Sequence, residues 1–199
     1  MTTAAVTGVV LAGGKSLRMG TDKALLVLDG RPLIAHVAST LQAVCEHVVL
    51  SANDSQLYQF LGLETIEDDY AERGPLGGIY SALAHSLTPA VFILACDTPY
   101  VSPELVRYII DYHSDADAKI PSMKGNLHPL CGMYRRDCLT TIQERLENQQ
   151  NRVQDLLSVI PTEIIPISPA LPFYKENLFA NLNNPIDVHS RPGHQQELS

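Results

Sequence analysis

The sequence predicts an α/β fold: a three-layer αβα sandwich around a mostly parallel sheet. Three observations carry that expectation. Apolar runs of strand length recur along the chain, segments of helical periodicity separate them, and the first run opens directly into a turn rich in glycine. Strands buried on both faces read as near-continuous hydrophobic runs, and alternation of such runs with helices is the mark of a covered parallel sheet.

The elements follow in order. Val6 to Leu11 is a β-branched run that breaks at Ala12-Gly13-Gly14, and it predicts the first strand. Pro32 suits the first turn of a helix, where a missing N–H costs nothing, and Leu33, Val37 and Leu41 then repeat on one face. Val48 to Ala52 predicts the next strand, and Ala90 to Ala95 the central one. A helix beginning at Ser102-Pro103, a cap followed by a proline, turns Leu105, Val106, Ile109 and Ile110 inward. Strands at Lys119 to Pro121 and Pro129 to Tyr134 come next, then helices at Leu139 to Leu146 and Val153 to Val159. Ile160 to Tyr174 holds four prolines, which predicts a strand flanked by turns, and the polar tail after His189 reads as frayed.

Bulk properties narrow the function classes. With 199 residues and 45% hydrophobic residues, the chain suffices for one compact domain, taken as 1–188 with 189–199 as a tail. A net charge of -8 and a pI near 5.2 argue against unspecific binding of nucleic acid or an anionic membrane. No apolar stretch approaches the roughly 20 residues that span a bilayer, and no basic segment leads into a cleavable apolar one, so a cytoplasmic location is expected. Cys45, Cys96, Cys131 and Cys138 contain no C-x-x-C pair and read as reduced, structural thiols. The seven histidines are scattered, which argues against a transition-metal centre.

Against that acidic background, Leu11 to Lys23 gathers three glycines and three cations, Lys15, Arg18 and Lys23, against the single carboxylate of Asp22. Glycines let backbone N–H groups approach a ligand, and the cations can neutralise a polyphosphate. Two common phosphate motifs fail by spacing. Gly14-Lys15-Ser16 resembles the end of a P-loop, but that motif needs glycine at position 9, which is Val9 here; Gly13, Gly14 and Gly20 do not fall at G-x-G-x-x-G either. A surface turn with solvated charges is the bland alternative.

The wider pattern decides between them. Leu-Ala-Gly-Gly-Lys-Ser-x-Arg-Met-Gly-x-Asp-Lys-Ala-Leu-Leu, from Leu11 to Leu26, resembles the signature of the sugar-nucleotide and cofactor nucleotidyltransferases, and is most similar to that of the MobA-type molybdenum cofactor guanylyltransferases. Ile66-Glu67-Asp68, Gly74 to Ile79, Cys96 to Pro99, His128-Pro129-Leu130 and Asn181 to Asp187 continue the likeness in the family's order, over roughly residues 6 to 188. The resemblance implies the Rossmann-like sheet of nucleotide-diphospho-sugar transferases. It also implies transfer of GMP from GTP to molybdopterin with release of pyrophosphate, Mg2+ as cofactor, and onward contact with cofactor insertion or delivery proteins and an apo-molybdoenzyme.

By the same likeness, Leu11, Ala12, Gly13 and Gly14 border the nucleotide, and Lys23 reaches its phosphates with Arg18 as a second candidate, unless Arg18 pairs with Asp22. Asp97, beyond the most apolar strand, is the implied magnesium ligand; a cap for the following helix is its other reading. A lone aspartate suffices, because magnesium keeps several waters and commonly takes one or two carboxylates plus substrate phosphates. Asp68 is implied to contact base or ribose, although Glu67 and Asp69 beside it also suit an acidic surface turn. Ser51 stands where the family often carries asparagine, a departure that removes a paired donor and acceptor from base selection. Gly77 and Gly78, in a segment suited to wrap the base or the second substrate, are assigned with Asn181 and Asn183 to the pterin side, with helix initiation and ordinary turn chemistry as their other readings. Two rival functions stand open: transfer of CMP or coupling to another acceptor, and a GTP-binding protein that delivers cofactor without chemistry.

Overall fold

The computed structural model describes residues 5–12 and 22–182. The first strand, β1 (Val6–Leu11), is followed by a small hairpin of β2 (Val27–Leu28) and β3 (Arg31–Pro32), helix α1 (Leu33–Gln42) and β4 (His47–Ser51). Then come β5 (Glu64–Ile66), α2 (Pro75–His85), β6 (Ala90–Ala95) and α3 (Pro103–Asp111). The remainder is β7 (Ala118–Met123), β8 (Asn126–Leu127), β9 (Cys131–Arg135), α4 (Leu139–Glu147), α5 (Val153–Leu156) and β10 (Thr162–Pro166).

Among the described residues, eight strands form one sheet in the order β10-β7-β9-β6-β1-β4-β5, with β8 paired to β7. Alternation along the strands feeds two cores, because successive side chains leave a strand on opposite faces. Val10, Phe92 and Leu94 pack with Ile34, Val37 and Leu41 of α1 and Leu105, Val106 and Ile109 of α3. Val9, Leu11, Val91 and Ile93 pack with Leu76 and Ile79 of α2, Ile142 and Leu146 of α4, and Val153 and Leu156 of α5. This is the three-layer sandwich that the sequence predicts.

Local chemistry sets the helix ends. Pro32 is the cap residue before α1, and Ser102 accepts the N–H of Leu105 at 3.4 Å to start α3. The C-terminus of α3 is satisfied by a buried lysine: Lys119 Nζ donates to the carbonyls of Ile110 at 2.9 Å and Tyr112 at 2.5 Å. Among the described residues no helix is long and apolar enough to cross a membrane. All four cysteines are free thiols, and burial pushes Cys45 up to about 11.

The mostly parallel sheet has two antiparallel strands, β8, which pairs with β7, and β9. β9 runs antiparallel to both β6 and β7. The link from Met123 to Cys131 is too short for the crossover that a parallel neighbour needs, about a dozen residues or more. Lys124 and Gly125, both at positive φ, turn the chain back instead. The strand also begins later than Pro129, so that Pro129 and Leu130 are left outside it. Likewise α5 stops at Leu156 rather than reaching Val159. Residues 183–199, which include the tail after His189, lie outside the described residues.

Candidate active site

β1 lies between β4 and β6, so the order of strands reverses there: the chain passes from β1 to β4 and β5 on one side and returns to β6 on the other. Ligands of open α/β sheets bind at the carboxyl ends of the strands beside such a reversal. The three strands end level, with Leu11 opposite both Ser51 and Ala95. Beyond that line Ala12 N–H donates to the Ser51 carbonyl at 2.9 Å, and Cys96 N–H to the Leu11 carbonyl at 3.2 Å. Leu11 and Ala12 are buried, and these bonds fix the chain's course as it enters the glycine-rich turn. Gly13, Gly14, Lys15 and Arg18 of that turn lie outside the described residues, as does Asn183.

The chain re-emerges at Asp22, which caps a short 3-10 turn, Lys23–Leu25. One carboxylate oxygen of Asp22 accepts the N–H of Ala24 at 3.0 Å, and the other accepts the hydroxyl of Tyr58 at 2.5 Å. The turn brings Lys23 within electrostatic reach of Asp97. Burial raises the pKa of the Asp97 carboxyl, and its own backbone N–H and the Lys23 ammonium partly offset that rise. The same neighbourhood acts on the Cys96 thiol, which burial and the charges of Asp97 and Asp22 push up to about 12, with Lys23 acting the other way.

Asp97 stands just past β6. The chain turns there through Thr98, whose hydroxyl donates to the Ala95 carbonyl at 2.8 Å, and the Asp97 carbonyl accepts the N–H of Leu182 at 3.0 Å. A carboxylate held partly out of water beside a single lysine can still take a cation. Among the described residues no group of three or more His, Cys, Asp or Glu side chains converges. A divalent ion at Asp97 would therefore draw its other ligands from phosphate oxygens and water, a ligand set that magnesium accepts.

On the β4 side, Asp68 is turned inward while Glu67 and Asp69 are exposed, which separates it from an acidic surface turn. Burial raises its pKa, the Ser81 hydroxyl lowers it by donating at 3.3 Å, and Asp69 raises it further. Ser81 binds the same loop a second time by accepting the N–H of Asp69 at 2.9 Å. Gly77 and Gly78 fit α2 against this wall. A Cβ at Gly77 would stand 2.9 Å from the Tyr70 carbonyl oxygen and 3.1 Å from Asp68 Oδ1; one at Gly78 would stand 2.5 Å from the end of Leu11 and 3.0 Å from Ser51 Oγ. Both glycines thus pack beside Asp68 and Ser51, and neither lines the cavity that holds Asn181. Ser51 itself is buried, and its small side chain admits the helix.

Beyond Asp97, on the β9 side, a cavity of about 220 Å3 is lined by Asp97, Thr98, His128, Pro129, Leu130, Phe179 and Asn181. The ring of His128 stacks on Phe179, and burial lowers its pKa, so the ring presents a neutral, planar wall. Asn181 is the exposed amide at the cavity.

The structure thus brings Lys23 within reach of Asp97 and sets Asn181 with Asp97 at one cavity, while Asp68 lies on the other side of β1, beyond β5. Sequence reasoning quotes His128 within a motif and gives it no role; its signal is the cluster His128-Pro129-Leu130 after a strand. Tyr58 has no signal of its own, being one of several apolar and aromatic residues in the short segment Gln56–Leu61.

Residues 8–162 match the family described as the MobA-like NTP transferase domain. A protein of Flavobacterium johnsoniae named "Probable molybdenum cofactor guanylyltransferase" is 34% identical over 87% of this chain and 91% of its own. A Desulfosudis oleivorans protein named "Molybdenum cofactor guanylyltransferase" is 38% identical over 71% of each chain. Among solved structures, molybdopterin-guanine dinucleotide biosynthesis protein A of Archaeoglobus fulgidus superposes with a TM-score of 0.78 at 25% identity, over 92% of this chain and 95% of that one. With a family match across most of its length and a crevice built at the carboxyl ends of β1 and β6, the chain belongs to the MobA-like NTP transferases.

Proposed function

We propose that this protein transfers GMP from GTP to the terminal phosphate of molybdopterin, forming molybdopterin guanine dinucleotide and releasing pyrophosphate. The observation that carries the reading is the partly buried Asp97 carboxylate at the end of β6 within electrostatic reach of Lys23; Asp68 on the β5 side is read as the base contact, and the cavity at His128 and Asn181 as the space for the acceptor. The names of the relatives supply the acceptor.

An oxygen of the acceptor phosphate attacks the α-phosphorus of GTP, the bond from that phosphorus to the β-phosphate oxygen breaks, and pyrophosphate leaves with the electron pair. An ionised phosphate needs no base to take its proton, so positioning and charge carry the catalysis. Lys23 meets the negative charge that grows as pyrophosphate departs. Asp97 would hold magnesium, which when bound offsets phosphate charge. Asp68 suits guanine because a carboxylate can accept from its adjacent N1–H and N2 amine, whereas cytosine sets an acceptor nitrogen beside its amine. His128 and Asn181 border the space left for the acceptor, a flat ring system with a phosphate. The free thiols suit a reducing cytoplasm, from which the product would pass to insertion or delivery proteins and an apo-molybdoenzyme.

Mass spectrometry of the product formed from GTP, magnesium and molybdopterin tests this directly, with ATP, CTP and UTP run in parallel. A guanine dinucleotide with stoichiometric pyrophosphate is the expected result. GTP binding with no pyrophosphate in the presence of molybdopterin would leave a delivery protein, and a faster reaction with CTP would reassign the base.

A further inference from the structure

Lys23 sits on a single 3-10 turn, and such a turn has little rigidity of its own. Besides the backbone bonds from Leu25 N–H to the Asp22 carbonyl and from Leu26 N–H to the Lys23 carbonyl, two hydrogen bonds converge on the Asp22 carboxylate. The first is local, from Ala24 N–H to Asp22 Oδ1 at 3.0 Å. The second comes from elsewhere in the chain: Tyr58, in the 3-10 segment Gln56–Leu61 that joins β4 to β5, donates its hydroxyl to Asp22 Oδ2 at 2.5 Å. Tyr58 is itself buried in the core shared with α1, so its hydroxyl is a fixed point rather than a surface group. Burial and the Asp22 carboxylate raise the pKa of the phenol far above its ordinary value, so it remains a donor over the whole working range.

We infer that Tyr58 is a positioning residue for the transfer reaction, acting through Asp22 to hold the Lys23 turn beside Asp97. A charge-assisted bond of this length is the strong kind, and here both oxygens of the carboxylate are engaged, one by each bond. The inference rests on the functional reading above, in that Lys23 is taken to meet phosphate charge in the transition state. It extends that reading to a residue far away in sequence that contributes no atom to the crevice. Small displacements of a charged group are enough to matter, since misplacement by about 1 Å can cost on the order of 100-fold in rate.

Tyr58→Phe keeps the ring and its packing and removes the hydroxyl alone. Its kcat should fall about 10-fold while the KM for GTP stays within about 2-fold, because an interaction strongest in the transition state shows in kcat. Thr40→Val is the control: it removes another buried hydroxyl bond, from Thr40 to the Val101 carbonyl, that involves neither Asp22 nor Lys23, and should lower Tm with kcat unchanged. Asp22→Ala should be slow as well, and Tyr58→Phe/Asp22→Ala no slower than Asp22→Ala alone. Wild-type kcat in Tyr58→Phe would overturn the inference, as would an equal loss in Thr40→Val or a double variant whose loss is the product of the two single losses. If the wild-type protein transfers no nucleotide from any of the four triphosphates, the functional reading falls and this inference with it. That result is distinguishable from all the others.

Discussion

His128 lies face to face with Phe179, ring centroids 3.9 Å apart and planes 10° from parallel, at the wall of the cavity beside Asp97. If that wall receives the acceptor, His128→Ala should raise the KM for molybdopterin on the order of 10-fold and leave the KM for GTP unchanged, since aromatic contacts of this kind contribute about 0.5–1.5 kcal/mol beyond burial. Steady-state kinetics with each substrate varied in turn decides it. Equal effects on both substrates would move His128 out of the acceptor wall.

The same ring gives a pH signature. Burial lowers the pKa of His128 below its ordinary value of 6.5, so the unfolded chain takes up the proton first as pH falls. Its contribution to stability is complete above 6.5 and is lost as pH falls from there through the lowered folded value. Tm measured from pH 7.5 to 5 should therefore drop more steeply for the wild type than for His128→Gln. Parallel curves would show that the ring is as well hydrated as in the unfolded chain.

Asp97 sets function against stability. Because burial raises its pKa, the ionised carboxylate is disfavoured by the fold, and the stability associated with its protonated form is lost as pH rises through the raised value. Asp97→Asn should match or exceed the wild-type Tm at pH 7 while transfer falls by about 1,000-fold or more. A stable variant with normal turnover would remove the carboxylate from the chemistry. A large drop in Tm would instead mark Asp97 as a structural cap.

Asp68→Asn tests the base wall. An amide can present its N–H where guanine also offers a donor, so kcat/KM for GTP should fall on the order of 100-fold and that for CTP much less. The ratio of the two specificity constants is the measurement, and an unchanged ratio would place base selection elsewhere.

Gly77→Ala should destabilise the fold by about 1–3 kcal/mol, as overpacking does, because the added methyl would meet the Tyr70 carbonyl and Asp68. The KM for GTP should rise with it. Denaturant unfolding and kinetics on one preparation would show whether the two effects travel together.

Much of this was legible in the residues. β1 and β6 are long β-branched or apolar runs, and α3 carries both a serine cap and a proline in its first turn, so each announces itself locally. Asp97 was placed at a strand end by the run before it, and the structure puts it there. Direction is different: the residues of β9 would read the same in a parallel strand, and only the short turn at Lys124-Gly125 reverses them. β5, with three residues, is too short to show a period. The β2–β3 hairpin did leave a signal, Asp29-Gly30 at positive φ, but its two-residue strands are too brief to frame it. Ser51 is buried against Gly78, a packing contact that its place at a strand end does not announce. Tyr58 meets Asp22 across 36 residues of chain, a proximity that no local pattern encodes.

The reversal at β1 bears on how such a protein can diversify. Residues on the Asp68 side, proposed to face the base, come from the stretch between His47 and Ser81, whereas those around the neighbouring cavity come from Ala95 onward, with β1 between them. Separate inheritance is the consequence: one lineage can retune its choice of triphosphate, and another its choice of recipient, by substitutions in different halves of the gene. A chimera joined within the loop between α2 and β6 should keep the nucleotide preference of its first parent and the acceptor of its second.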